Sequence, residues 1–564
     1  MSPNSGTAII GAAAAARAHG SGGKVGLRAL WSDKKTVYIA IFASLGGFLY
    51  GYQQGVLGQA LVMTSFKKKF PSIADDSGAQ GWLTSILQLG GWIGALTCGV
   101  LCEVFSRKLT LFSGAMWVIL GSYLTAGAST PGFLYAGRFF TGIGVGGLSA
   151  TGPLYNAELA PPETRGFLVA MQQLSITIGI MLAYWLAYGT NYIGGTGDGQ
   201  SDMAWRLPLI FQGIPAVILA AGVWLMPYSP RWLVKKGRDQ EALDTLSRLR
   251  SRPVDDKMIQ IEFLDIKAEC VFESRQFNEN FSHFSEKSRN NPWIRELASY
   301  KEIFQSKDKF KRIALASLVM FFQQWSGIDS IIYYAPIIFA SLGLTSSTSS
   351  LLATGITGVL NVCTTIPAIM LLDKLGRKPL LMVGAFGMLS TMVIVGILAS
   401  QYQDDWASHP AAGWAAVVMI WLYIMNFAYS WGPVSWTLIA EVFPLSTRAK
   451  GTSIAASSNW MNNFIIALVT PTLLAKISWG LYILFAGFLA VGIVFVWFFV
   501  PETKGKTLEE MDQVFGAQTS QQDLARLGAI QEEVGLFAAL DHEIAMDRDD
   551  GLVDDEKSGF QHQL

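Results

Sequence analysis

The chain has 564 residues, of which 51% are hydrophobic, 12% aromatic and only 15% charged, and it contains 57 glycines. This composition is too apolar and too rich in glycine for an ordinary soluble domain, and it indicates an integral membrane protein. The formal net charge is zero, and the basic residues are dispersed rather than grouped in a stripe. We therefore exclude nucleic acid as a partner.

Taken in chain order, twelve apolar runs are each long enough to cross a bilayer, whose core of about 30 Å needs about 20 helical residues. Six precede a polar stretch at 227–311 and six follow it. The first six lie at 36–57, 80–102, 109–127, 132–155, 167–188 and 206–226, and the second six at 312–340, 348–372, 379–400, 413–441, 452–475 and 479–500. The sequence therefore predicts an all-α integral membrane fold of twelve transmembrane helices in two six-helix halves.

Five segments follow from this division. Residues 1–35 are predicted to be a disordered cytosolic N-terminus, and residues 36–226 form the N-terminal half. The polar residues 227–311 are predicted to be a cytosolic linker with short helices, because one stretch has helical spacing. Residues 312–500 form the C-terminal half, and the acidic residues 501–564 are predicted to be a mobile cytosolic tail.

Lys and Arg residues fall in alternate short loops, which predicts that both termini are cytosolic. Three consecutive lysines at 67–69 are the exception, because they lie in a loop predicted to be outside.

The two halves repeat each other. GVLCEVFSRK at 99–108 returns as IMLLDKLGRK at 369–378, and AELAPPETRG at 157–166 returns as AEVFPLSTRA at 440–449. The matches occur in the same order and at corresponding helix ends, which indicates two pseudo-symmetric halves. Such a duplication predicts a substrate site between the halves, near the middle of the membrane.

Together with GRFFTGIGVGG at 137–147 and QQWSGIDSIIYY at 323–334, these motifs give the chain a family resemblance over residues 36–510. It resembles the sugar transporters of the major facilitator superfamily, and WGPVSW at 431–436 is similar to fungal hexose and pentose carriers. The resemblance implies the major facilitator fold, transport of a sugar through a multi-pass protein of the plasma membrane, and function as a monomer in contact with membrane lipid.

Polar side chains within the predicted helices are candidates for sugar binding. Amides donate and accept hydrogen bonds at once, as a ring of hydroxyls requires, and an aromatic face suits the CH edges of the sugar. The candidates are Gln173, Gln323, Gln324, Asn361, Asn459 and Asn463, with Trp436 as the aromatic. The alternative is that the amides join helices, worth about 0.6 kcal/mol per bond. The resemblance favours binding, less so for Asn459 and Asn463, and Asp329 stands where the family usually has Asn.

The resemblance also implies two gates. Tyr333 and Tyr334 correspond to the family's outer gate, with an interfacial tyrosine belt as the alternative. Charged residues at the cytosolic helix ends would pair across the inner mouth when the site faces outward and separate when it opens inward. They are Arg107, Glu158, Arg165, Asp373, Arg377, Glu441 and Arg448. Ser106, Val104 and Tyr228 depart from the family pattern, which predicts a weaker set of contacts in the first half.

Arg138 and Gln53 decide the energetics of coupling. A cation within a membrane helix is costly, about 2.5 to 3.5 kcal/mol at its centre. In proton-coupled members an Asp in the first helix answers this Arg and carries the proton, and here that position is Gln53. An amide does not titrate, so we predict facilitated diffusion. Proton symport through Asp329 is the alternative.

Monosaccharide transport has two alternatives. One is a carrier of polyols, quinate, glycosides or disaccharides, and the other is a non-transporting sugar sensor. An enzyme is not predicted, because no nucleotide loop, GxSxG motif or catalytic pair occurs in the sequence. Four cysteines without metal-ligand spacing predict no metal site, and no cofactor is predicted.

Overall fold

The computed structural model describes residues 34–159, 165–281, 307–344, 346–444, 446–504 and 519–540, together with 291, 293–294, 298, 300, 304, 511 and 515. These residues form helices joined by turns and loops, and no strand occurs among them. Twelve helical segments of membrane-spanning length form two groups of six, so the predicted all-α fold of twelve transmembrane helices in two halves is confirmed.

We call these segments spans 1 to 12. Spans 1 to 6 are Lys34–Val62, Ser77–Val104, Arg107–Ala126, Pro131–Leu159, Arg165–Thr190, and Met203–Phe211 with Gly213–Gly222. Spans 7 to 12 are Lys307–Trp325 with Ile328–Ser341, Ser347–Leu375, Arg377–Tyr402, Pro410–Tyr429 with Trp431–Glu441, Arg448–Ile477, and Gly480–Phe499. We call the side on which span 1 begins and span 12 ends the terminal side, and the opposite side the distal side.

Eight of the twelve are candidate membrane spans by length and composition alone, within the part of the chain that the structure describes. The other four are spans 1, 4, 5 and 7. These four carry buried polar side chains, among them Gln53, Arg138, Gln172 and Gln323. Polar residues inside a membrane bundle are expensive unless they face its interior, so these helices are candidates for lining a site.

Span 7 is broken twice. It stops at Trp325 and restarts at Ile328 through Gly327, whose φ of 95° lies in the left-handed region that favours glycine. A second bend at Tyr334 precedes Pro336, which has no N–H to bond the carbonyl of Ile332. That carbonyl instead accepts a hydrogen bond of 2.7 Å from Tyr184 Oη of span 5. The bend is therefore stabilised by the opposite half.

The two halves meet along three pairs of helices. Span 2 packs along span 11, span 5 along span 8, and span 1 against the distal part of span 7. Gly91 packs so closely against the indole of Trp460 that an added Cβ would overlap the ring. Trp92 Nε1 next to it donates a hydrogen bond of 2.6 Å to Ser457 Oγ. Small residues thus allow close approach of the halves, as is usual for packing between membrane helices.

The repeat is visible in backbone geometry. Ser106 precedes span 3 with φ 92° and ψ 158°, and Gly376 precedes span 9 with φ 92° and ψ 162°. This conformation is essentially restricted to glycine. The two halves therefore use the same turn at corresponding helix starts. In the first half a serine adopts this turn, at the cost of backbone strain.

Three helices, Pro230–Lys235, Asp239–Arg250 and Lys257–Asn280, lie between the halves in sequence. The tail helix Thr519–Glu533 packs on the third of them, with Leu527 and Ile530 buried against Phe272. The tail was predicted to be mobile, and that prediction is wrong for residues 519–540. The physical reason is an amphipathic face that the acidic overall composition concealed.

Two of the three lysines at 67–69 have acidic partners on the distal side. Lys68 Nζ lies 2.8 Å from Asp198 Oδ1, and Lys69 Nζ lies 3.1 Å from Asp202 Oδ2. Their charges are therefore offset within the distal loops.

Candidate functional site

Asp329 lies at the centre of a polar cluster between the halves. Its Oδ2 accepts a hydrogen bond of 2.6 Å from Asn463 Nδ2 of span 11, and its Oδ1 accepts a longer one of 3.5 Å from Gln54 Nε2 of span 1. Only 4% of Asp329 is exposed. A carboxylate buried in this way, among amide donors, is characteristic of a functional position in a membrane protein.

Tyr333 connects this cluster to span 2. Its hydroxyl donates to Asn463 Oδ1 at 2.9 Å and accepts from Gln54 Nε2 at 3.3 Å. In the amide orientation that gives both of its side-chain atoms partners, Gln88 Oε1 lies 2.9 Å from the same hydroxyl. Tyr334 is directed away from these groups and donates to the carbonyl of Ala467 at 2.6 Å. The predicted gate residues are thus both buried at the contact between halves.

Three further predicted amides lie near the break in span 7. Asn459 Nδ2 donates to Gln323 Oε1 at 2.8 Å, and Gln323 Nε2 donates to the carbonyl of Trp431 at 2.8 Å. Gln324 is buried, and its Oε1 has no partner. Gln323 and Asn459 therefore satisfy one another, whereas Gln324 keeps an acceptor for a ligand.

The remaining predicted residues stand apart from this network. Asn361 is buried in span 8, Gln173 is half-buried in span 5, and Trp436 is 39% exposed in span 10. No hydrogen bond of the described residues links these three side chains to Asp329. The structure thus brings together the span 7 and span 11 residues and leaves these three as outlying candidates.

Several residues in the network were not singled out by the sequence. Gln54 has no role assigned from the sequence, and its amide contacts Asp329, Tyr333 and Tyr50 Oη. Gln88 is a second such residue, and the sequence signal for it is an amide within a predicted span. Gln172 is also buried with neither amide atom bonded.

Arg138 and Gln53 form the predicted contact between spans 4 and 1. Arg138 Nη1 donates to Gln53 Oε1 at 3.2 Å, and both side chains are buried. Arg138 Nε and Gln53 Nε2 have no partner among the described residues. A neutral amide therefore occupies the place from which a carboxylate would neutralise the guanidinium.

The distal side of the cluster is closed. Gly58 of span 1 lies against the carbonyl of Tyr333, and Gly81 of span 2 lies against the carbonyl of Leu468. At both glycines an added Cβ would overlap the carbonyl oxygen. Spans 1 and 7, and spans 2 and 11, are therefore in direct contact on the distal side of the cluster.

Charged residues on the terminal side pair within each half. Arg107 Nη2 lies 2.7 Å from Glu158 Oε1, and Arg377 Nη2 lies 2.7 Å from Glu441 Oε1. Arg448 Nε donates to the carbonyl of Phe443 at 3.4 Å. The side chains of Arg165 and Asp373 lie outside the described part of the chain. Both described ion pairs thus join helices of the same half, in a structure whose distal side is closed.

The departures from the family pattern have local replacements. Tyr228 stacks on Trp232 with ring centroids 5.5 Å apart, and Lys108 Nζ lies 5.1 Å from the centroid of Tyr228. In the second half, Glu502 accepts hydrogen bonds from the backbone N–H groups of Arg377 and Lys378. Burial raises the pKa of Glu502, but these N–H donors outweigh it and leave the pKa below its ordinary value.

The chain is similar to known transporters over most of its length. The family model described as "Sugar (and other) transporter" matches residues 39–515. "MFS glucose transporter mfs1" of Aspergillus flavus is 34% identical over 500 residues, covering 85% of this chain and 89% of that protein. "Quinate permease" of Neurospora terricola is 33% identical over 493 residues, covering 84% and 88%.

The chain is also similar to solved structures of a transporter. The "proton:xylose symporter XylE bound to 6-bromo-6-deoxy-D-glucose" has a TM-score of 0.66 and 28% identity, covering 86% of this chain and 99% of that one. A "partially occluded inward open conformation" of XylE from E. coli has a TM-score of 0.67 and 28% identity, covering 84% and 100%.

Proposed function

The chain belongs to the sugar transporters of the major facilitator superfamily, and from that premise we propose that it carries monosaccharides, hexoses or pentoses, by alternating access. The observation that carries the proposal is the polar cluster around Asp329, which draws amides and hydroxyls from spans 1, 2, 7 and 11. Groups from both halves can then hold one substrate, and rocking of one half against the other exposes it to alternate sides.

In this proposal the terminal side is cytosolic, and the protein lies in the plasma membrane. The contacts of Gly58 and Gly81 close the distal side, so the arrangement corresponds to a site that faces the cytosol. Opening outward separates Gln54 from Asp329 and Tyr333. The charges of the terminal side, including Arg165 and Asp373, then approach one another across the inner mouth. Exposed ion pairs contribute only about 0 to 1 kcal/mol each, so this network biases the two states without locking either.

Transport is proposed to be facilitated diffusion. Gln53 is the hydrogen-bond partner of Arg138 among the described residues, and an amide does not titrate at physiological pH. Proton symport through Asp329 is the second candidate, favoured by the burial of that carboxylate at the contact between halves. Sugar-induced alkalinisation of the medium and uncoupler-sensitive accumulation distinguish them. Concentrative uptake that an uncoupler abolishes would contradict facilitated diffusion.

Growth and labelled uptake in yeast without hexose transporters, on single sugars and polyols, test the substrate class. Uptake of hexose or pentose supports the proposal. Uptake confined to polyols, quinate or disaccharides contradicts monosaccharide transport. Surface expression with no uptake at all favours a sensor.

A further inference from the structure

We propose that Asp329 makes this site select its substrate by charge, so that it accepts neutral and ammonium-bearing sugars and rejects carboxylate-bearing ones such as uronates and quinate. The inference rests on the proposed function, because it concerns the same site. It goes further in naming the chemical class of substrate.

The first step is the environment of the carboxylate. Both of its oxygens accept hydrogen bonds from neutral amides, Asn463 at 2.6 Å and Gln54 at 3.5 Å, and the side chain of Gln324 also hydrogen-bonds this carboxyl. No Lys, Arg or His nitrogen of the described residues lies within 4.0 Å of it, and Asp329 is 96% buried, being only 4% exposed. The carboxylate is therefore solvated by dipoles and is not neutralised by a paired cation.

The second step concerns the other groups that face it. Four tyrosines interact electrostatically with Asp329, three of them from spans packed around span 7 and one from span 7 itself: Tyr50 of span 1, Tyr184 of span 5, Tyr423 of span 10 and Tyr333. Two of them already donate to protein acceptors, Tyr184 to the carbonyl of Ile332 and Tyr423 to that of Ser326. The cation Arg138 lies on span 4, where it donates to Gln53 and faces Tyr333 and Tyr334. Asp329 in its ionised form thus supplies the negative charge of the cluster, and Arg138 is the cation that faces its tyrosines.

The third step is the geometry of substrate entry. Gln54 is a weak amide donor to Asp329, since its hydrogen bond is long. Gln54 belongs to the N-terminal half, whereas Asn463 belongs to the same half as Asp329. When the halves separate, the carboxyl loses the donor Gln54 and keeps Asn463 and Gln324, which belong to its own half. A substrate hydroxyl or ammonium can replace Gln54 at Oδ1 without disturbing Asn463.

The consequence for a charged substrate follows from electrostatics. In a site with low effective dielectric, a second carboxylate a few ångströms from Asp329 is repelled, and the repulsion corresponds to about 100-fold or more in affinity. An ammonium at the same place gains from the unpaired carboxylate, and a hydroxyl donates to it without a charge penalty. The site therefore discriminates most strongly against acids.

The test uses three sugars with the same ring but different charge: D-glucose, D-glucosamine and D-glucuronate. Each competes against uptake of a labelled monosaccharide that the wild type transports, at about pH 7, where the amine is largely protonated and the acid ionised. We expect glucosamine to compete within about threefold of glucose and glucuronate at least about 100-fold more weakly. Glucuronate competing within about threefold of glucose would overturn the inference.

Asp329→Asn removes the charge and keeps the shape. Because Asp329 is part of the site, the readout is the ratio between sugars and not the absolute uptake. We expect the preference for glucosamine over glucuronate to shrink at least about tenfold in Asp329→Asn and to persist in Asp329→Glu. Asp405→Asn, which removes a carboxylate from the distal loop, is the matched control and should leave every ratio unchanged. An unchanged ratio in Asp329→Asn overturns the inference.

If Asp329→Asn does not transport, competition for binding to purified wild type decides the question, since it needs no turnover. Glucuronate that protects the wild type from thermal unfolding as well as glucose does overturns the inference. Failure of the proposed function is recognised separately, because the wild type would then take up no monosaccharide at all.

Discussion

Gly58 of span 1 lies directly against the carbonyl oxygen of Tyr333 in the broken helix of span 7. The contact closes the distal side of the candidate site, because even one methyl group at position 58 would overlap that oxygen. The same tyrosine donates its hydroxyl to Asn463, so distal closure and the polar cluster share one residue.

Gly58→Ala is therefore expected to hinder distal closure. Closure weakened by about 1.4 kcal/mol or more lowers uptake about tenfold, while sugar still binds from the distal side. Initial uptake rates and equilibrium binding of labelled sugar to membranes measure the two effects. Gly487→Ala is the control, because nothing lies within 4 Å of its added Cβ. Normal uptake by Gly58→Ala would show that closure does not need this contact.

Tyr333→Phe removes a hydroxyl that bonds both Asn463 and Gln54. Each lost hydrogen bond is worth about 0.5 to 1.5 kcal/mol, so we expect KM for the transported sugar to change by about 5- to 160-fold for the two together. Tyr192→Phe, which removes a hydroxyl bonded only to Tyr188 among the described side chains, should leave KM unchanged. The same KM in both variants would show that the Tyr333 hydroxyl does not contribute to sugar binding.

Ser106→Gly is expected to stabilise the protein. The backbone at Ser106, with φ 92° and ψ 158°, costs a non-glycine residue about 1 to 3 kcal/mol. The gain is reduced by the loss of the hydrogen bond from Leu109 N–H to Ser106 Oγ and by the greater entropy of glycine in the unfolded chain. We expect a net gain of about 1 kcal/mol, seen as a higher thermal midpoint in detergent. The reciprocal Gly376→Ser should lower the midpoint, and a fall in both variants would refute the argument.

Ile530→Asp should release the tail helix. Ile530 and Leu527 bury their side chains against Ala268 and Phe272, and a buried carboxylate without a partner is strongly unfavourable. Limited proteolysis is expected to cleave near residues 519–540 at least severalfold faster than in wild type. Ala529→Asp places the same charge on the exposed face of this helix and is the control. Cleavage at the same rate in both variants would contradict the packing.

The linker should stay docked in mild acid because of Glu273. Partial burial raises the pKa of this carboxyl, but the charges of Lys235 and Arg231 outweigh it and hold the pKa at about 2. The folded-state pKa is the lower one, so its stabilising contribution is complete above about pH 4.5 and is lost as pH falls toward about 2. We expect hydrogen exchange of residues 257–280, corrected for intrinsic rates, to report constant protection from about pH 7 to 5 and weaker protection below.

Glu273→Gln should reduce that protection already at neutral pH and flatten its dependence on acid. Glu279→Gln serves as the control, because Glu279 is exposed and pairs with Arg526 of the tail helix. Unchanged protection in Glu273→Gln would show that the ion pairs do not hold the linker.

The candidate site was only partly predictable. Asp329, Gln323, Tyr333 and Asn463 could be proposed because polar side chains in apolar helices are rare and the motifs around them are specific. Gln88 was missed, although an amide in span 2 met the same criterion. Gln54 is recognisable in the sequence as an amide within span 1, but its role could not be predicted, since its partners lie 275 and 279 residues away in sequence.

The sequence by itself determined the class of protein, the twelve spans and the duplication, because apolar length and repeated motifs are local properties of the chain. Which amides meet which groups was decided only by the tertiary structure, because span 7 bends at Gly327 and Tyr334 and brings Asp329 against span 1 of the other half. The docking of the tail helix was likewise decided only by the tertiary structure. Its apolar face contains only a few residues, and without Phe272 on the linker nothing in the acidic tail indicates that this face is covered.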